Sequence, residues 1–353
     1  MAGRHAHSHD QLPEMSRRAI AAILIPAAIA TLIAMIVLWP ARTTPPTSEN
    51  NRVEGTVTAI DGRATVRLDD GTETSAEIGK KVRVGDQVVL LHTGPDYAIV
   101  DHQRSTPMIG MLALTVAVIL AFGRWRGLTS LAGLAVSFAV LLLFIIPAIL
   151  DGSPPLLVAV VGASAIMFAA LYLTHGISTH TSVAVAGTLA SLVLTGLLGA
   201  GFTAALHLTG VATDDDAFLS ATLGGIDMRG LLLAGIVIGA LGVLDDVTVT
   251  QAVTVAEMSA GASGWALYRA AIRVGRAHVG SAVNTIVLAY AGASLPLLLL
   301  FSTGTQPAGD LLTGELLAQE ILRSAVGTIG LVASVPLTTA LAVLAAGRSH
   351  RFT

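Results

Sequence analysis

The chain has 353 residues, of which 53% are hydrophobic and only 12% are charged, with a formal net charge of -3. Soluble domains carry roughly 25% charged residues, so this composition indicates a membrane protein. The slightly negative charge argues against a nucleic-acid partner, because such proteins present a basic face. The sequence contains no cysteine, which excludes disulfides and thiolate chemistry.

The first apolar run extends from Ile20 to Trp39 and follows Arg17 and Arg18. It is long enough to cross a bilayer, which takes ~20 residues in a helix. The run ends without a trustworthy small-residue cleavage site. It therefore predicts a retained anchor helix over residues 19–40, after a cytoplasmic tail over residues 1–18.

Between residues 41 and 106 the sequence changes to a proline-containing linker and then to short alternating segments. Asp61-Gly62 and Asp70-Gly71 are hairpin turn signals. The predicted strands are Arg52 to Ile60, Ala64 to Leu68, Thr72 to Ile78, Gln87 to Leu91 and Tyr97 to Val100. Short strands with regular turns indicate a small extracytoplasmic β-barrel of OB-like type. We expect this barrel to serve as a packing module or to contact a protein partner.

Seven further apolar runs predict a helical membrane domain over residues 107–346, followed by a cytoplasmic tail over 347–353. With the anchor, the chain is predicted to be a mostly α membrane protein of about eight transmembrane helices. The seven runs are Pro107 to Phe122, Leu128 to Ile149, Pro154 to Leu173, Val183 to Leu206, Leu231 to Thr250, Ala282 to Phe301 and Ala325 to Ala345.

The distribution of arginine predicts the orientation of these spans. Cytoplasmic loops carry an excess of basic residues, and the connections after the second and sixth spans are basic, whereas the short connections on the other side are mainly acidic. Both termini are therefore expected in the cytoplasm, with the protein in the inner membrane of the cell. The basic residues of these two connections are Arg124, Arg126, Arg269, Arg273 and Arg276.

Two adjacent carboxylates, Asp245 and Asp246, interrupt the sixth span ~15 residues from its outer end, about 22 Å deep. An ionised Asp at a helix centre costs roughly 2.5–3.5 kcal/mol on insertion scales. The pair is therefore expected to face a cavity, an ion or a partner group. Thr248, Thr250 and Gln251 extend the polar patch towards the cytoplasm.

The seventh span offers a matching polar face. His278, Ser281 and Asn284 follow an i, i+3, i+6 spacing, which places them on one side of a helix. Asn284 is predicted at about the depth of Asp246. These groups together predict an oxygen-rich cation site or a proton relay. No cofactor is expected beyond an unidentified bound cation.

A purely structural role for the two acids is the alternative. Asp245 fits the N-cap of a second half-helix if the span breaks at Gly242. Asp246 would then be held by Arg276 or His278 without any part in transport. A wet cavity around the carboxylates would favour transport, and a dry site paired with arginine would favour the structural role.

Small residues recur every fourth position in the fifth and sixth spans, which indicates faces of close helix packing. The series are Gly187, Ser191, Thr195 and Gly199 in the fifth span, and Gly235 and Gly239 in the sixth.

The run Leu241-Gly242-Val243-Leu244-Asp245-Asp246-Val247-Thr248-Val249-Thr250-Gln251 resembles the signature of the YibE/F-like bacterial membrane proteins. Asn284-Thr285, Leu288 to Gly292 and Ser294-Leu295-Pro296 are similar to a second block of that family, and Gly187-Thr188-Leu189 also fits. The resemblance covers roughly Met108 to the C-terminus and implies a multipass membrane protein without an assigned activity. Ala277 stands where the family resemblance leads us to expect an acidic residue. This departure weakens any role for that position as an ion ligand or proton relay.

The leading hypothesis is a secondary transporter or exporter of a small solute or ion, rather than an enzyme. Its partners would be the lipid bilayer and that solute, and no Walker P-loop is present to use ATP directly. One alternative is a non-catalytic assembly or sensing subunit that uses the outer barrel. Another is a phosphoryl-transfer enzyme for a lipid-linked substrate, in which the paired acids hold Mg²⁺.

Overall fold

The computed structural model describes residues 14–41, 52–93, 96–302, 309 and 313–347. The chain divides into two compact units, one formed by residues 1–41 and 129–353 and the other by residues 42–128. Most of the two predicted cytoplasmic tails lies outside the described residues.

The second unit begins with a closed barrel of five strands in the order β1-β2-β3-β5-β4. Alternating small and branched apolar residues fill its interior, among them Val57, Val66 and Leu90. All neighbours are antiparallel except β3 and β5, which makes this a Greek-key barrel, the class that includes the OB fold. The prediction of a small five-stranded barrel is confirmed. The strands are β1 Arg52–Asp61, β2 Arg63–Leu68, β3 Glu73–Ile78, β4 Gln87–Thr93 and β5 Asp96–His102.

Helices make up most of the remaining described chain. In the described part of the chain, six helical segments are long and apolar enough to cross a membrane, which is consistent with a membrane protein. The helices are α1 Glu14–Val37, α2 Ser105–Val140, α3 Ile146–Leu150, α4 Pro155–His175, α5 Thr179–Ala205, α6 Asp214–Thr222, α7 Met228–Met258, α8 Gly264–Ala293, α9 Leu295–Ser302 and α10 Glu315–Gly347. One π-helical turn, Leu141–Ile145, joins α2 to α3.

The predicted number of about eight spans is not confirmed, and one reason lies in α2. Two predicted spans fall within a single 46-residue segment, Ser105–Leu150. Arg124 interrupts this segment with φ 49° and ψ -125°. The chain turns back there. The close approach of residues 119 and 127 shows this, since a Cβ built on Gly127 would lie 2.5 Å from the carbonyl oxygen of Ile119. The predicted spans therefore lie on either side of a sharp break in one helical segment.

The other reason lies in the predicted span from Ala282 to Phe301. The structure divides this stretch between α8 and α9, with Ser294 between them. Neither helix is among the six candidate spans. The helix α8 begins far earlier, at Gly264, so its first half carries arginines, and α9 has only eight residues.

The centre of the first unit is formed by α5, α7 and α10, which pack against one another. The contact surfaces include buried hydroxyl groups, such as those of Thr188, Ser191 and Thr338. Glycine permits the close approach, because a Cβ on Gly187 would clash with the Thr338 side chain and one on Gly330 with Thr195. The predicted packing face of α5 is thus confirmed.

Candidate functional site

The two acids are carried by an unbroken helix. The helix α7 extends from Met228 to Met258, so Asp245 lies 17 residues after its start, about 25 Å along the axis. Asp245 is half-buried and Asp246 is exposed. Because α7 continues through Gly242, Asp245 is not the N-cap of a second half-helix.

Both carboxylates line a cavity of about 550 Å³. Its walls are the second part of α2, the C-terminal half of α4, and α7. Apolar side chains form much of the lining, including Leu134, Phe138 and Leu241. The polar lining residues are Ser130, Ser137, Thr174, His175, Asp245, Asp246 and Thr250. The cavity therefore combines two carboxylates with hydroxyl groups and an imidazole inside a helical membrane unit.

Among the residues that the structure describes, no basic side chain pairs with the acids. Across residues 14–41, 52–93, 96–302, 309 and 313–347, neither Asp245 nor Asp246 takes part in an ion pair. The alternative in which Arg276 or His278 holds Asp246 is therefore not observed. Uncompensated acids at membrane depth are costly, and this favours a site that takes up a cation or a proton.

Thr248 and Gln251 face away from the cavity. The Thr248 hydroxyl lies 2.6 Å from that of Thr188 on α5. The Gln251 amide donates to the carbonyl oxygen of Ala271 at 3.1 Å and to the Thr339 hydroxyl at 2.7 Å. Both residues are almost fully buried and connect α7 to its neighbours. Of the predicted polar patch on this helix, only Thr250 joins the acids at the cavity.

The predicted partners on α8 are not brought to the acids. His278, Ser281 and Asn284 are exposed, and none of the three lines the cavity. The helix instead packs on α7 through apolar residues such as Val283 and Ile286. A functional role for the three polar residues stays a prediction, but the structure places them in a different part of the unit.

A family model described as YibE/F-like protein matches residues 111–348, about two thirds of the 353-residue chain. The chain belongs to the YibE/F-like family. The YibE/F-like region contains the cavity and all of its lining residues, and the barrel precedes it. No curated protein and no solved structure matches the chain.

Within the YibE/F-like region, sequence reasoning missed the half of the site contributed by α2 and α4. Ser130 and Ser137 are seven residues apart, with Gly133 between them, which places all three on one helical face. A Cβ on Gly133 would lie 3.2 Å from the Thr174 hydroxyl, so the two helices approach closely there. This spacing could have been recognised in the sequence, whereas the presence of His175 in the same cavity lining as the acids depends on tertiary packing.

The site does not have the donor set of a metal centre built from acids and histidines. No group of three or more His, Cys, Asp or Glu side chains capable of holding a metal ion occurs in the part of the chain that the structure describes. The two carboxylates share the cavity lining with four hydroxyl residues among mainly apolar side chains, and such neutral oxygens suit a weakly held cation or a proton.

Proposed function

We propose that this YibE/F-like protein transports a small solute or ion, with Asp245 and Asp246 as the binding or coupling carboxylates. The observation that supports this most strongly is the cavity itself, in which both acids stand without a basic partner among the described residues. Acids inside membrane helices usually mark pathways for ions or protons. In this proposal the protein lies in a bacterial inner membrane, with the barrel outside the cell and both termini in the cytoplasm, the orientation that the arginine distribution predicts.

The negative charge of the cavity favours a cationic substrate or a coupling cation. Ser130, Ser137, Thr174 and Thr250 add hydroxyl oxygens, which replace part of the hydration shell of an ion. His175 adds an imidazole to the lining, a group that can donate and accept hydrogen bonds. The proposal therefore assigns ion binding to the α2–α4–α7 cavity and leaves the exposed face of α8 out of it.

The test begins with ion-dependent thermal stability of the purified full chain. A ligand that binds only the folded state stabilises it by RT ln(1 + [L]/Kd), about 2.7 kcal/mol at 100 Kd. Sodium, potassium, magnesium, calcium and manganese would be compared at several pH values. At least one ion or a pH change is expected to raise the melting temperature, and Asp245→Asn or Asp246→Asn is expected to abolish that response.

Glu257→Gln is the matched control, because Glu257 lies on the same helix but does not line the cavity. It is expected to keep the ion response. Flux of the responding ion into proteoliposomes would then be measured for all variants. If no ion or pH change acts, and both aspartate variants merely alter stability, the carboxylates are structural and the transport proposal is wrong.

A further inference from the structure

One end of the β-barrel lies directly beside an apolar helix. The last strand, β5, ends at His102, and α2 begins at Ser105. The first turns of α2 expose large apolar side chains, with Met108 58% and Ile109 67% exposed. Such side chains belong in lipid, so the barrel end that contains residues 101–104 lies at the level of the lipid headgroups. We call this end the helix-proximal pole.

The loop between β3 and β4, residues 79–86, is fastened to the same pole. Lys80 forms an ion pair with Asp101 at 3.0 Å, and Asp86 lies 3.4 Å from His102. The amide of Gly85, in a left-handed conformation with φ +95°, donates to the carbonyl oxygen of Val57. These contacts fix the loop against the barrel at the helix-proximal pole.

The pole is basic and carries an exposed apolar tip. Residues 79–86 and 101–104 contain four basic side chains, all exposed, and two carboxylates. Val84 stands at the turn and is 62% exposed. An apolar tip flanked by cations matches the chemistry of a lipid interface, where basic side chains reach phosphates and apolar groups enter the acyl boundary. The basic residues are Lys80, Lys81, Arg83 and Arg104.

We propose that the helix-proximal pole docks on anionic phospholipid headgroups of the adjacent leaflet. Lys81 and Arg83 contact the phosphates, and Val84 enters the interface between them. Lys80 and Arg104 both pair with Asp101, so Lys80 also holds the loop against the barrel, and both residues add positive charge. This inference rests on the second unit alone and does not depend on the proposed transport.

The test uses the full chain in nanodiscs of neutral phosphatidylcholine, with or without 30% phosphatidylglycerol. Because the chain has no native cysteine, Val84→Cys places a single nitroxide label at the tip of the loop. Power-saturation measurements then compare collisions with oxygen, which concentrates in lipid, and with a water-soluble nickel complex. We expect the ratio of oxygen to nickel accessibility to rise at least threefold in the anionic nanodiscs, and to fall again when salt screens the charges.

The double variant Lys81→Glu with Arg83→Glu should remove the rise in the oxygen-to-nickel accessibility ratio. Arg52→Glu is the control and should keep the rise, because Arg52 pairs with Leu91 in the barrel sheet, away from the helix-proximal pole. Circular dichroism and melting temperature verify that each variant is folded. A label that is equally water-accessible in both lipids overturns the proposal and leaves the pole open to a soluble partner. An increase that survives the double charge reversal also overturns it, because the phosphate contacts would then be absent.

Discussion

The side chain of Gln251 joins α7 to α8 and α10 through two hydrogen bonds. The sequence suggested that Gln251 belongs to the ion site, because it follows the acids on the same span. Its burial between three helices favours a packing role, and a Cβ on Gly275 would lie 2.6 Å from the amide oxygen. The glycine therefore leaves the space that the amide occupies.

We predict that Gln251→Ala lowers the free energy of unfolding by about 1–3 kcal/mol, through lost hydrogen bonds and a cavity. The ion response described above should persist in this variant. Thermal unfolding in detergent measures both effects. Thr254→Ala is the control, because the Thr254 hydroxyl bonds only to its own helix. A loss of the ion response in Gln251→Ala would contradict the packing role and show that Gln251 takes part in ion binding.

The Asp101 carboxylate is expected to make the stability of the barrel depend on pH in the acid range. The hydrogen bonds from Arg104 and Lys80 hold the pKa of its carboxyl well below the usual range. A lowered pKa contributes stability above the unfolded value of about 3.9, and this stability is lost as pH falls through the folded value. Near pH 4 the pairs of Asp101 are thus expected to remain formed.

Asp101→Asn should remove this contribution at neutral pH, and the variant and native barrels should converge in stability only in stronger acid. The pH dependence of the barrel signal in the full chain, followed by hydrogen exchange, checks this. A difference between the two proteins that disappears already at pH 5 would contradict the assignment.

At the scale of helices, alanine substitutions at three glycines compare two positions of close helix packing with one position that has no neighbouring atoms. Gly187→Ala and Gly330→Ala should each destabilise the protein by about 1–3 kcal/mol, because the added methyl meets Thr338 or Thr195. Gly235→Ala should be neutral or slightly stabilising, since nothing lies within 4 Å of its Cβ position and Ala favours helix. Unfolding of the three purified variants under identical conditions provides the comparison. Equal losses in all three would show that helix packing is not the cause.

The elements themselves could largely be predicted, because strands and helices leave periodic patterns. Alternation and Asp-Gly turns located the barrel strands to within a few residues, and an uninterrupted small-residue series located the packing face of α5. The neighbours of the acids could not be predicted. Asn284 was predicted at a suitable depth but is exposed, whereas Val283, about 100° away on the helix, packs against the apolar cluster that includes Val247 of α7. Sequence depth does not determine which face of a helix meets its neighbour.

For the whole molecule, the number of crossings depends on the broken α2 segment and on α8 with α9, and the second of these can be tested directly. If this stretch crosses the membrane, Ala262 and Gly309 lie on opposite sides, with Ala262 in the cytoplasm. We predict this arrangement and an even number of spans. Single cysteines at the two positions, probed in intact cells with a membrane-impermeant maleimide, should label at Gly309→Cys only.

Glu77→Cys on β3 serves as the positive control for the outer side, because Glu77 is exposed on the barrel. Labelling of Ala262→Cys and Gly309→Cys to the same extent would place both on one side. The stretch from α8 to α9 would then be a re-entrant or interfacial element, and the chain would end on the side opposite to the prediction.

The break at Arg124 has a consequence for how this protein is made. Its backbone angles, φ 49° and ψ -125°, suit glycine, and an arginine held there costs about 1–3 kcal/mol. The predicted orientation, however, requires basic residues at this turn while the chain is being inserted. Exchanging the neighbours, by Gly123→Arg with Arg124→Gly, keeps the charge and should stabilise the finished protein by about 1 kcal/mol. The charge that insertion requires at this turn is thus compatible with a relaxed backbone, and the strain at Arg124 arises from the order of the two residues rather than from the charge itself.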